Sequence, residues 1–335
     1  MPGGARQLLG PCHTFWRCPG RKLEQFGYAS DMRLEDGHVA WVEVAPRDGL
    51  QNHPSEIPTQ SKIELIRRLL AAGADMVEAT SFVSPRLVPR MADASKVMTS
   101  FSPEERRRLR VLVPNLTGAG QALEAGALHL AVTIGATDAF NQRNVNRPVR
   151  DSVHELEAIC MAASAGGATV EVVLSVAFGC PFQGEVSQEQ VIGLAQSISH
   201  LEIAGICLAD TIGVAAPAAV VQLVKVVRGA TPIPLALHFH DTRGLGVANV
   251  LAGFGAGVRQ FEGSVGGIGG CPFAPRSTGN VASEDAIFGL TGAGASTDID
   301  VDAYCETAAW LAAQLGETLP GKLYRAGTSW IVGEN

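Results

Sequence analysis

The sequence predicts a (β/α)8 TIM barrel with additional C-terminal helices, and three observations carry that expectation. A unit recurs along the chain: a helix-like segment, a glycine with a small neighbour, then a short run rich in β-branched residues. It appears as AAGADMVEAT, EAGALHLAVTIGAT, AGGATVEVVLSVA, EIAGICLADT and GAGVRQFEGSV. Adding HVAWVEVAP, RVLVPN and IPLALHFHDT brings the short apolar runs to eight. Finally, polar residues gather at the C-terminal ends of these runs, where barrel enzymes build their active sites. A doubly wound open sheet is the competing fold, but no Gly-x-Gly-x-x-Gly follows the first run.

Each element has a local reason. Glycine after a helix supplies the left-handed residue that ends it. The apolar run that follows reads as a strand buried on both faces. Between runs the period changes to that of a helix, as over Thr59 to Ala72, where Ile63, Ile66 and Leu70 share one stripe. Strand and helix alternating eight times is the pattern of a parallel barrel. From about residue 300 the chain reads as one or two further helices. The expected organisation is an extension over 1–35, a barrel over 36–298 and a helical segment over 299–335.

The first thirty residues are Gly/Pro-punctuated, basic and free of acid before Glu24. Mitochondrial transit segments are similarly Arg-rich and acid-poor. This stretch is poor in serine and lacks an amphipathic period, so it reads as a loosely ordered extension. Met32 then leads directly into the first strand. A chain beginning at Met32 should keep both melting temperature and activity, because residues 1–31 lack a buried pattern. Marked loss of either would show that the extension packs on the barrel.

Composition excludes several classes of function. Hydrophobic residues make up 46% and charged residues 18% of the 335, which suits a large core. The net charge of −7 argues against nucleic acid as a partner. No stretch approaches the ~20 apolar residues of a membrane span, so no membrane partner is expected. Seven cysteines (Cys12, Cys18, Cys160, Cys180, Cys207, Cys271 and Cys305) are scattered without paired spacing. They read as reduced thiols, six of them small hydrophobes. The expected compartment is the bacterial cytoplasm, or the mitochondrial matrix in a eukaryote.

In ALHFHDTRG, residues 236–244, alternation on a strand puts Leu235, Leu237 and Phe239 on one face and Ala236, His238 and His240 on the other. Two imidazoles on one face are either a shared ligand pair or two separately hydrogen-bonded histidines. With Asp48 from the end of strand 1 they make three ligands, and Asn280 offers a fourth oxygen. Such a mixed N/O set suits Mg²⁺, Mn²⁺ or Co²⁺ with open positions, and Zn²⁺ less well. Arg47, beside Asp48, either pairs structurally with Glu78 at the end of strand 2 or stabilises a developing oxyanion. Gln51, Asp210 and Thr211 lie at other strand ends. The loop GSVGGIGGCPFAPRSTGN lacks the Lys-Ser/Thr of a P-loop and reads as a flap delivering Cys271. Cys180, in FGCPF, reads as structural. Arg243 either meets an anionic substrate group or is solvated.

Taken together, VEVAPRDGLQN, VEATSFVSPRLVPRM, FGCPFQGEVS, LADTIGVAAP, HFHDTRG and GGCPF…TGNVASED resemble the 3-hydroxy-3-methylglutaryl-CoA (HMG-CoA) lyases, a family of metal-dependent lyase and synthase barrels. The resemblance runs in order from about residue 38 to residue 292. It implies that Asp48, His238, His240 and Asn280 hold a divalent cation, Mg²⁺ or Mn²⁺. It also implies a catalytic arginine in Arg47, a flap cysteine in Cys271 and active-site acids in Glu78 and Asp210. Gln51 and Thr211 match polar positions near the substrate. The implied partner is a small acyl-CoA, with no organic cofactor beyond that CoA, and a homodimer is expected. The chain departs from the family at Gly266, Ile268 and Phe273 in the flap, at Arg276 after it, and at Pro54, where a lysine is usual. These changes bear on the acyl group rather than the reaction class. Claisen-type synthases share the Arg-Asp and His-x-His ends but usually carry a long C-terminal extension and do not need the flap cysteine.

Overall fold

The structure is a computed structural model that describes residues 37–270 and 279–329. Eight strands close into a barrel in sequence order, every neighbouring pair parallel. They are β1 (Ala40–Glu43), β2 (Met76–Ser81), β3 (Leu109–Leu112), β4 (His129–Gly135), β5 (Thr169–Ser175), β6 (Gly205–Asp210), β7 (Leu235–Phe239) and β8 (Gln260–Gly263). All eight expected runs are strands. Their outward residues pack under the surrounding helices. Leu235, Leu237 and Phe239 join the large core, whereas Ala236 meets Val173, Cys207 and Ala209 in a separate inner cluster. The two faces expected for β7 are therefore both realised.

Four of the five recurring glycines adopt left-handed backbone: Gly73, Gly126, Gly167 and Gly257, with φ between 70° and 95°. At Gly73 a Cβ would also lie 2.2 Å from the Asp298 carbonyl oxygen. The fifth unit differs. Gly205 is the first residue of β6, and the preceding helix, Gln188–Ile198, ends at Ser199. Gly205 faces Glu171 of β5, whose Cγ lies 3.7 Å from where a Cβ would stand.

The C-terminal tail forms two helices, Val301–Leu315 and Leu323–Ala326. The first buries Tyr304, Ala308, Leu311 and Leu315 against the helices Thr59–Ala71 and Ser283–Gly292. Among the described residues no helix is long and apolar enough to cross a membrane.

Candidate active site

Strand β1 ends in a five-residue π-helical turn, Ala45–Gly49, with Pro46 in its first positions. The amides of Arg47, Asp48 and Gly49 all converge on the Val44 carbonyl at 3.2, 2.8 and 3.2 Å. Wide turns of this kind are frequent at functional sites. Here the turn carries Arg47 and Asp48 together over the C-terminal mouth of the barrel.

His238 and His240 stand side by side, ring centroids 5.2 Å apart. Asp48, His238 and His240 each offer a ligand atom, and these atoms lie within 4.8 Å of one another. Asn280 arrives by a route the barrel itself does not dictate. The segment after the undescribed residues bridges back to β7: Asp241 N–H donates to Gly279 O, and Val281 N–H to Phe239 O, both at 2.9 Å. That pairing sets Asn280 opposite His240. Its Nδ2 donates to Asp48 Oδ2 at 2.9 Å and to Ile268 O at 3.1 Å. Its Oδ1 is buried and has no hydrogen-bond partner. An orphaned amide oxygen beside a carboxylate and two imidazoles fits the mixed N/O set of a divalent cation. Gly269 leaves room for this amide, since a Cβ there would stand 2.5 Å from Asn280 Nδ2.

The electrostatics of Asp48 and His240 suit ligation. Burial opposes ionisation of Asp48, but Arg47 and both histidines outweigh it and hold its carboxyl below the ordinary range. Burial, with His238 beside it, lowers His240 to about 3, leaving it neutral. His238 is raised: burial works against its charge, but its bond to Glu262 prevails. That bond joins His238 Nδ1 to Glu262 Oε2 at 3.0 Å and leaves Nε2 as the free ligand nitrogen. Among the described residues a second group, His38, Asp75 and Asp298, lies at the opposite end of the barrel. There Asp75 Oδ2 already accepts from Trp41 N at 2.8 Å.

Arg47 does pair with Glu78, Nε to Oε1, and its Nη1 also reaches Asp48 Oδ1 at 2.7 Å. Gln51 Oε1 accepts from Ser81 Oγ at 3.3 Å, beside the end of β2. Thr211 Oγ1 accepts from Val176 N at 2.8 Å, holding a left-handed non-glycine residue (φ 54°) just past β5. Asp210, close enough to His238 to feel its charge, is engaged by the loop after β6. Its two oxygens accept from the amides of Val214 and Ala215, each at 2.9 Å, and shape the loop after β6. Arg243 braces the same loop through the carbonyls of Ile212 and Gly213 at 2.9 and 2.8 Å. Cys180 is buried, its Sγ 3.2 Å from Thr137 Oγ1. Cys271, Phe273 and Arg276 lie outside the described residues, as does the 1–35 extension.

Several buried charged groups escaped the sequence reading. Arg110 of β3 meets Glu78, Glu171 and Glu262 at 2.6, 3.0 and 2.7 Å inside the barrel. Glu43 ties β1 to the loop after β8, accepting from Ala45 N, Val265 N and Ser283 Oγ. The available signal was a charged residue in the inward phase of an otherwise apolar strand.

Glu284, beside that loop, is buried and accepts from Gly266 N at 3.0 Å, while its Oε1 has no partner. Burial, reinforced by Asp285 and Glu43, pushes its carboxyl from 4.5 to about 8. The folded chain therefore binds this proton more tightly than the unfolded chain does. Stability from the group is present at low pH and is lost as pH rises from about 4.5 through about 8. Glu284→Gln should flatten the stability–pH curve across that window by ~1 kcal/mol per pH unit, as read by urea unfolding. Glu43, raised to about 7, acts in the same sense and remains in the variant. An unchanged slope would mean that Glu284 is ionised when folded.

Comparison with known proteins agrees with this architecture. Residues 38–311 match the HMGL-like family. A (R)-citramalyl-CoA lyase from Chloroflexus aurantiacus is 39% identical over 86% of this chain and 95% of its own. A 3-hydroxy-3-isohexenylglutaryl-CoA/hydroxy-methylglutaryl-CoA lyase from Pseudomonas aeruginosa is 39% identical over 84% of this chain and 94% of its own. An HMG-CoA lyase from Acinetobacter baumannii, solved with coenzyme A and 3-methylmalate, superposes with a TM-score of 0.83 at 37% identity, covering 88% of this chain and 97% of that one. With the family matched over most of its length and the closed eight-stranded barrel in place, this chain belongs to the HMGL-like family.

Proposed function

We propose that the protein is a divalent-metal-dependent carbon–carbon lyase that cleaves HMG-CoA, or a close 3-hydroxyacyl-CoA, to acetyl-CoA and a keto acid, acetoacetate from HMG-CoA itself. The carrying observation is the convergence of Asp48, His238 and His240 on one point, with the orphaned oxygen of Asn280 and the guanidinium of Arg47 beside it. Asp48, His238, His240 and Asn280 would hold Mg²⁺ or Mn²⁺. When bound there, the cation would lower the pKa of the substrate hydroxyl.

The chain's own residues perform the rest. Nε2 of His238 can serve as ligand or as base, not as both at once. As ligand it leaves the hydroxyl proton to Asp48, a weak base that suffices once the hydroxyl is acidified. As the carbon–carbon bond breaks, its electron pair passes to the thioester enolate. Arg47, anchored by Glu78, offsets charge on the thioester oxygen. Cys271 then protonates the enolate carbon to give acetyl-CoA.

The cysteine step has a direct test. Serine keeps the size but is a far weaker acid than a thiol, whose reference pKa is about 8.5. Cys271→Ser should cut kcat heavily with little change in substrate affinity or metal content. Cys180→Ser, at the buried site beside Thr137, should be nearly silent in kcat and cost some stability. If the two variants behaved alike, the flap role would be wrong.

The (R)-citramalyl-CoA lyase relative supports a second reading of the acyl group. Citramalyl-CoA lacks one methylene between the carbinol carbon and the free carboxylate, so its keto product is pyruvate. A panel of 3-hydroxyacyl-CoA substrates with Mg²⁺ or Mn²⁺, scored for acetyl-CoA and for the keto acid formed, separates the two. Failure to release acetyl-CoA from any of them would overturn the lyase reading.

A further inference from the structure

Beneath the ligand cluster the barrel interior is not filled with the branched aliphatic layers usual for the fold. One layer is ionic. Arg110 is 1% exposed, and the three carboxylates around it, Glu78, Glu171 and Glu262, are no more than 3% exposed. Two of these carboxylates divide their oxygens in the same way. Glu78 gives Oε2 to Arg110 Nη2 at 2.6 Å and Oε1 to Arg47. Glu262 gives Oε1 to Arg110 Nη1 at 2.7 Å and Oε2 to His238 Nδ1 at 3.0 Å. One guanidinium therefore stands behind both halves of the site, the arginine half and the ligand half. Glu171, the third carboxylate, touches Arg110 and Gln260 and reaches neither Arg47 nor His238.

We propose that Arg110 is a positioning residue that orients Arg47 through Glu78 and His238 through Glu262, so that the two halves of the site are set by one side chain. The proposal rests on the site reading above. Without Arg110, Glu78 and Glu262 become buried like charges with no shared cation. Their relief is to rotate away from each other or to take up protons, and either change releases Arg47 and the His238 ring. A lysine supplies the charge but not the function. Its single ammonium cannot place two separate nitrogens on two carboxylates, as the planar fork of arginine does.

Arg110→Lys is the informative variant, read in three ways. Its crystal structure should show Glu262 off His238 Nδ1 and Arg47 off Glu78. Mn²⁺ binding by calorimetry should weaken by about 10- to 100-fold, the usual scale for losing a carboxylate–histidine support. With HMG-CoA, kcat should fall by a similar factor while KM stays within about threefold. Where Arg110→Lys is not recovered folded, Arg110→Met with Glu171→Gln, which removes the arginine together with one of its carboxyl partners, carries the same measurements. A merely structural Arg110 would lower the melting temperature but leave Mn²⁺ affinity, kcat and the two contacts within twofold or in place, and that result overturns the proposal. If the parent chain cleaves no acyl-CoA, the lyase reading fails. The crystal structure and Mn²⁺ binding still decide the role of Arg110.

Discussion

Chelation of divalent cations with EDTA should abolish turnover, and added Mn²⁺ should restore it. The buried groups beneath and around the site are Asp48, Glu78, Glu171 and Glu262 against Arg47 and Arg110. Burial raises Glu171, and Arg110 offsets this only in part. Four buried carboxyl groups face two guanidinium groups and His238, which Glu262 raises, and burying an excess of acidic groups is costly without a counter-charge. Asp48 is held ionised and His240 neutral, the forms in which each ligates. Asp48→Ala or His238→Ala should therefore weaken Mn²⁺ binding by calorimetry and bring acetyl-CoA release to background. Full activity in metal-free protein would sink the ligand assignment.

Arg47→Met should fold and bind Mn²⁺ yet lose about 100-fold or more in kcat. Removing one preorganised charge donor costs ~3 kcal/mol at the transition state. The expectation of a stable variant comes from Arg110. Glu78, stripped of Arg47, keeps its ion pair with Arg110 at 2.6 Å and is not left as a lone buried charge. Methionine also preserves much of the buried stem. Both options for Arg47, pairing with Glu78 and acting on the substrate, are then compatible, because the pair fixes the guanidinium while Nη1 lies beside Asp48. A kcat within a few fold of the parent would return Arg47 to a structural role.

The polar strand ends were legible for a local reason. Alternation along β7 needs only the pleat, so His238 and His240 share a face as the sequence predicts. Asp48 is likewise recognisable one residue after Arg47, although the wide turn that carries both is not. Asp210 occupies a strand end in the same way, and there its carboxylate also accepts from two loop amides. Position at a strand end shows where a side chain starts, not which donors surround it.

By itself the sequence determined the eight strands, their buried faces, four of the five helix-ending glycines and the terminal helices, since each follows from periodicity or from backbone sterics within about ten residues. Only the tertiary structure decided that Asn280 bridges to His240, that Glu43 ties β1 to the loop after β8, and that Arg110 stands behind both Glu78 and Glu262. The partners of Glu43 and Arg110 are far apart in sequence and meet because barrel closure brings β8 beside β1 and turns inward-facing residues of several strands toward one axis, whereas Asn280 reaches His240 through the bridge of the later segment to the end of β7. Local propensity carries no record of such meetings. A charge inside an apolar strand announces that a partner exists, and closure of the barrel chooses which one.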